Sequence, residues 1–215
     1  YDEKTRAAFF LQLIPLYTQI VNELVLAGAE WIQFEEPSFT KTLPEEEILI
    51  IEELYKQIKE ETPNANILVQ TYFEALTSFE RLTQLPVAGI GLDFVHGAKE
   101  NLKALQKFGF PKNKTLSLGI INGRDIWSAN LAEVVSTIST VKQLSQVENL
   151  WISSSCSLQH VPVSKDVEEK LSFELWHHLA FADEKIREIA HITYFIKKGE
   201  WLKEGIVKQS LQVIE

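Results

Sequence analysis

Short apolar runs that stop abruptly in polar residues, each followed by a segment of helical periodicity, recur five times along this chain. Residues 30–46, EWIQFEEPSFTKTLPEE, show the unit most fully. The run Trp31-Ile32-Gln33-Phe34 ends in two carboxylates and a proline, Glu35-Glu36-Pro37. Carboxylates at the end of a buried strand are costly to desolvate, so such a strand is expected to end at an open, ligand-facing rim. Strands separated by helices imply parallel pairing through right-handed crossovers.

The expected strands are A, residues 31–35; B, 66–71; C, 89–94; D, 115–121; and E, 149–153. Strands B to E read as near-continuous apolar runs, as expected when helices cover the outer face and side chains fill the inner one. A first helix is expected over residues 5–27, with Leu13, Tyr17, Ile20 and Leu24 at helical spacing, Pro15 as a start or kink and Gly28 as a stop. The second carries Pro44 in its first turn, Glu45, Glu46 and Glu47 against the helix dipole, and the stripe Ile48, Ile51, Leu54, Ile58. Further helices are expected at 78–85 and 99–108, after the cap Asn130, and as one long helix over 171–198. His177 and His178 fall within that last pattern and read as structural.

Five units of this kind make an α/β fold. A closed eight-stranded barrel needs three more, so the chain reads as the later five units of a TIM-like (β/α)8 barrel with the first three strands missing. An open doubly wound sheet is the other arrangement that five parallel strands allow. No Pro/Gly/Ser-rich linker divides the 215 residues, and 45% of them are hydrophobic, enough to bury one core. A net charge of −9 argues against nucleic-acid or anionic-membrane partners, which need clustered Lys and Arg. The sole cysteine, Cys156, cannot form an internal disulfide, which fits a reducing cytoplasm. The apolar runs read as too short to span a bilayer. The chain has no methionine and starts at Tyr1 without a signal-peptide core, so it is expected to be cut from something longer.

The strand ends gather Glu35 and Glu36; Gln70, Thr71, Tyr72 and Glu74; Asp93 and His96; Asn122, Arg124 and Asp125; and Ser154, Ser155, Cys156 and His160. In a barrel these converge on one mouth. Glu74, Asp93, Cys156 and His160 are all conceivable metal ligands, but one cysteine and this spacing do not match a zinc site of four Cys/His ligands, or of three plus water. Arg124 is the one basic side chain in the group other than histidine. Its planar fork either binds a carboxylate or phosphate or pairs with Glu36 or Asp93. Glu35 and Glu36, adjacent on a strand, would face opposite sides and cannot share a proton. Cys156 is either a nucleophile served by His160 or an inert, partly buried thiol. No Gly-rich phosphate loop, serine elbow or HExxH is present.

Four segments, EWIQFEEPSFTKTLP, VQTYFEAL, LSLGIINGRDIW and SSSCSLQHVPV, occur in order, each closing an expected strand. Together they resemble the amino-terminal half of cobalamin-independent methionine synthases, over nearly all of the chain to about residue 190. The resemblance implies a zinc-dependent methyltransferase of methionine biosynthesis, which moves a methyl group from 5-methyltetrahydrofolate polyglutamate to homocysteine. It implies two similar barrels, with zinc and homocysteine held by the carboxyl-terminal one. Residues 1–215 would then be a partial amino-terminal barrel domain, non-catalytic, with no cofactor of its own. Its expected partners are the carboxyl-terminal catalytic barrel of the same polypeptide and the missing amino-terminal strands.

Carried over from the catalytic half, the zinc-ligand positions fall on Tyr72, Glu74, Asp93 and Cys156. Tyr72 and Glu74 have lost the ligand type, which implies a vestigial site. The acidic residue that contacts homocysteine falls on Glu35. The expected mouth residues for a small ligand are Glu35, Glu36, Asp93 and Arg124. An alternative is a stand-alone ligand-binding or scaffold barrel without catalysis. Two open strand edges also predict that the segment is marginally stable or self-associates.

Overall fold

The computed structural model describes residues 9–198. Helix α1 spans Ile14–Leu26, α2 Glu45–Glu61, α3 Phe79–Leu82, α4 Ala98–Phe108, α5 Leu131–Ser145, α6 Phe173–His178 and α7 Ala182–Lys198. The strands are β1 Trp31–Glu35, β2 Asn66–Gln70, β3 Gly89–Asp93, β4 Thr115–Ile121 and β5 Asn149–Ser154. All neighbours pair in parallel in the order β1-β2-β3-β4-β5. That order never reverses, so it lacks the switch point of a doubly wound sheet. With right-handed crossovers throughout, it sets the helices on a single face.

The core lies between that face and the helices. Ile32, Ile67, Val69, Ile90, Leu92, Leu116 and Leu118 meet Tyr55, Ile58, Leu105, Ile138 and Val141. The opposite face is concave. Trp31 and Trp151, on the two edge strands, meet edge to face with ring centroids 4.5 Å apart. In a flat sheet these strands would be roughly 19 Å apart, at about 4.8 Å per step. The contact therefore requires strong curling of the sheet. Glycines permit it on the inner face: a Cβ at Gly91 would overlap the side-chain amide of Gln70.

Two expectations about helices are corrected. The first helix is described from residue 9, with a turn at Leu13; residues 5–8 of the expected span lie outside the described residues. Pro15 sits in the first turn of α1, so it starts the helix rather than kinking it. The buried stripe is Ile14, Thr18 and Val21, whereas Tyr17, Ile20 and Leu24 are exposed. The helix is apolar nearly all round, so periodicity alone could not choose its inner face. By length and composition, Phe9–Leu26 is also long and apolar enough to cross a membrane, against the expectation that no run was.

The expected single helix over 171–198 is two helices. Ser172 caps α6 by accepting from Leu175 N–H, and the chain extends at Leu179 before α7. The break is held by the loop after β4: His178 and Ile126 carbonyls accept from Ser128 and Ala180 N–H at 2.8 Å. His177 and His178 are exposed rather than in the core. Buried Lys185 anchors the same loop, donating to Asp125 at 3.2 Å and to the Trp127 carbonyl at 2.9 Å.

Candidate functional site

The ends of β1 and β2 divide the two adjacent glutamates. Glu35 faces the concave side and accepts from Gln33 Nε2 at 2.7 Å. Glu36 turns toward the helices, where Tyr55 Oη donates to it at 3.1 Å and Ser38 Oγ at 3.3 Å. Burial raises the Glu36 carboxyl above the usual carboxylate range, and those two hydroxyls offset part of the rise. Tyr55 is raised well above a normal phenol, first by burial and then by the Glu36 charge. Glu36 and Tyr55 also line a separate cavity of about 690 Å³ with Phe10, Leu43, Leu49 and Leu54. The structure thus separates Glu36 from the other expected mouth residues.

A cavity of about 310 Å³ occupies the concave face. Gln33, Glu35, Gln70, Ser117, Trp151 and Cys156 are among its walls. Tyr72 also lines it, with its phenol pushed up to about 12 by burial and by a hydrogen bond to Glu35. Gln70 is buried beneath, its amide donating to the Thr71 carbonyl at 3.0 Å.

Asp93 ends β3 completely buried. Its Oδ1 accepts the N–H groups of Val95 at 2.8 Å and His96 at 2.9 Å. Its Oδ2 accepts Phe73 N–H at 2.9 Å and lies 3.2 Å from His96 Nδ1. Phe73 has φ 82°, in the left-handed region disfavoured for a side-chain-bearing residue, and the Asp93 carboxylate holds it there. Asp93 thus ties the β2 turn to the β3 turn, and both its oxygens are engaged.

Arg124 is exposed, and it pairs with neither Glu36 nor Asp93; its guanidinium carbon lies 4.8 Å from the centroid of the Phe73 ring. The Asn122 side chain fixes its backbone, accepting Arg124 N–H at 2.9 Å. His160 meets the same ring edge-on, with centroids 5.9 Å apart. Cys156 is buried and free. Burial raises its thiol; a hydrogen bond from Ser155 and the charge of Arg124 offset this in part, while Asp93 and Glu35 add to it. A thiol raised in this way is a poor nucleophile.

These residues do not fit a metal ion. Among the described residues no three His, Cys, Asp or Glu side chains stand together as a possible metal site. Of the carried-over positions, Tyr72 is bound to Glu35, Glu74 is exposed, and Asp93 is committed to backbone N–H groups. The sequence reading missed Gln33, Phe73, Ser117 and Trp151. Ser117 and Gly119 mark the inner face of β4 by alternating with Leu116 and Leu118, a signal masked by the apolar run around them.

A sequence model of the cobalamin-independent synthase N-terminal domain matches residues 1–146. A 5-methyltetrahydropteroyltriglutamate–homocysteine methyltransferase of Bacillus cereus (strain G9842) is 44% identical over 200 residues, 93% of this chain and 26% of the relative. One so named from Bacillus thuringiensis (strain Al Hakam) is 42% identical over the same shares. The chain thus spans about a quarter of the length of the curated relatives it matches. The structure of a B12-independent methionine synthase from Shewanella sp. W3-18-1 superposes with a TM-score of 0.61 at 17% identity, over 92% of this chain and 58% of that one, a likeness of fold. Half or more of the sequence matches one family description, and the chain belongs to the cobalamin-independent synthase family, in its N-terminal-domain part.

Proposed function

We propose that the chain is the later five β/α units of the amino-terminal barrel of a zinc-dependent methyltransferase, and that this half is non-catalytic. The whole polypeptide would carry a methyl group from 5-methyltetrahydropteroyltriglutamate to homocysteine, the reaction for which its relatives are named. The observation that carries the reading is the state of the strand ends: an Asp93 carboxylate spent on backbone N–H groups, a tyrosine at position 72 and an exposed Glu74. Such a site orders loops and offers no ligand set for a metal. Metal chemistry would belong to the other half, where zinc would supply a homocysteine thiolate.

The barrel reading draws on the same geometry. A helix that precedes a strand packs over both strands it joins. Helix α1 precedes β1 and carries an exposed apolar stripe beside its buried one, as expected if a strand flanks the free edge of β1. The free edge of β5 calls for the same cover. In this reading residues 1–215 are one partial barrel domain of a cytoplasmic enzyme. Folate contacts belong to the wider polypeptide, and isolated chains associate through their edges. Sedimentation velocity that gives a compact monomer at all concentrations would argue against that association.

The non-catalytic assignment is tested in the complete polypeptide. Cys156→Ala and Glu74→Gln there should each leave methyl transfer within about twofold, since exposed or inert positions rarely contribute more. A drop of about tenfold or more in kcat, the scale on which loss of support to a metal ligand acts, would refute it.

A further inference from the structure

The chain carries 30 carboxylates against 21 Lys and Arg side chains, so partners for an arginine are plentiful. Arg81 pairs with both Glu45 and Glu52, and Arg187 lies 3.8 Å from Glu184. Among the described arginines only Arg124 has no carboxylate within 4.0 Å. It is nevertheless not a loose surface chain. Its guanidinium carbon lies over the Phe73 ring, 4.8 Å from the centroid, a cation–π contact that leaves the guanidinium's N–H groups available to an acceptor.

The stack rests on a fixed base. Phe73 is held at positive φ by the fully buried Asp93, and the backbone of Arg124 is tied to Asn122. Exposed His160 stands at another edge of the Phe73 ring. Gly123, the residue before Arg124, packs against the cavity wall: a Cβ there would stand 2.9 Å from Cys156 Sγ. A cation pre-ordered on an aromatic face, beside a cavity and left unpaired in an acidic protein, is arranged for an external anion.

We propose that Arg124, lying over the Phe73 ring, binds the oxyanion group, carboxylate or phosphate, of a small ligand at the carboxyl end of the sheet, with His160 as a second donor. The fork can hold either oxyanion through two parallel N–H···O bonds. The inference uses only side chains of this segment and stands whether or not the methyltransferase reading holds.

The test is titration of the full chain with glutarate, and separately with inorganic phosphate, followed by calorimetry and by amide shifts of residues 72–74 and 122–125. At least one of the two anions should saturate the protein in the millimolar range or tighter, and the tighter one names the ligand class. Arg124→Ala should weaken that binding by about tenfold or more, the scale of one lost charge-assisted pair. Arg124→Lys keeps the charge and loses the fork, and should fall between. Phe73→Leu, which removes the stacking face, should weaken it several-fold. Arg124 is exposed, so circular dichroism of its variants should match wild type. Undiminished anion binding by Arg124→Ala, or no saturation by either anion below about 10 mM in wild type, would each overturn the proposal. None of these results bears on metal content or methyl transfer, so the proposed function stands or falls separately.

Discussion

Replacing Asp93 with Asn should cost far more stability than its place at a candidate ligand mouth suggests. The carboxylate is fully buried and accepts from three backbone N–H groups, those of Phe73, Val95 and His96, besides facing His96 Nδ1. Asparagine has the same shape but one oxygen. That oxygen can serve the Phe73 side or the Val95–His96 side, and the other side then meets an NH2 donor. One charge-assisted bond is lost, about 1.5–3 kcal/mol, and a buried N–H is left unpaired, about 1–3 kcal/mol. The sum is about 2.5–6 kcal/mol, a large share of the roughly 5–15 kcal/mol that holds a domain together. Urea denaturation at neutral pH, read as the midpoint shift at constant m, measures it. Glu74→Gln, exposed at the same end of the sheet, is the control and should stay within about 0.5 kcal/mol. If Asp93→Asn also stays within about 0.5 kcal/mol, the carboxylate is not the anchor of the two turns and the reasoning fails.

Other outcomes follow from the same geometry. Burial raises the Glu36 carboxyl, so the native state keeps its proton to higher pH than the unfolded chain, and stability falls as pH rises above the ordinary carboxylate range. Glu36→Gln should therefore be more stable than wild type at pH 7.5, with the gain gone below about pH 4; thermal melts at both pH values check it. Gly91→Ala would push the Gln70 amide out of place and should cost about 1–3 kcal/mol in chemical denaturation, as overpacking does. The Cys156 thiol, buried and raised, should react with a thiol-specific disulfide reagent slowly in the native protein and at full stoichiometry in urea.

The strands were legible because an apolar run of five to seven residues between helical patterns admits few other structures. Expected and observed bounds agree within a residue at each of the five. The opposed directions of Glu35 and Glu36 followed from strand geometry alone. What was hidden depends on tertiary partners. Helix α1 offers apolar residues on both sides, so only its contacts decide that Ile14 and Val21 go inward. The extended break at Leu179 exists because a loop fifty residues earlier supplies its hydrogen-bond partners. Phe73 gave no hint that it would adopt positive φ, so neither the use made of Asp93 nor the seat of Arg124 could be read from sequence. The strand pattern located the strand-end residues, and the structure shows what each one touches.

The most direct test of the account is the metal content of the purified chain by elemental analysis, with homocysteine-dependent methyl transfer assayed on the same sample. A non-catalytic scaffold segment predicts no stoichiometric zinc and no transfer. One zinc per chain, lost on Cys156→Ala and accompanied by activity, would contradict it and make these strand ends a working metal site.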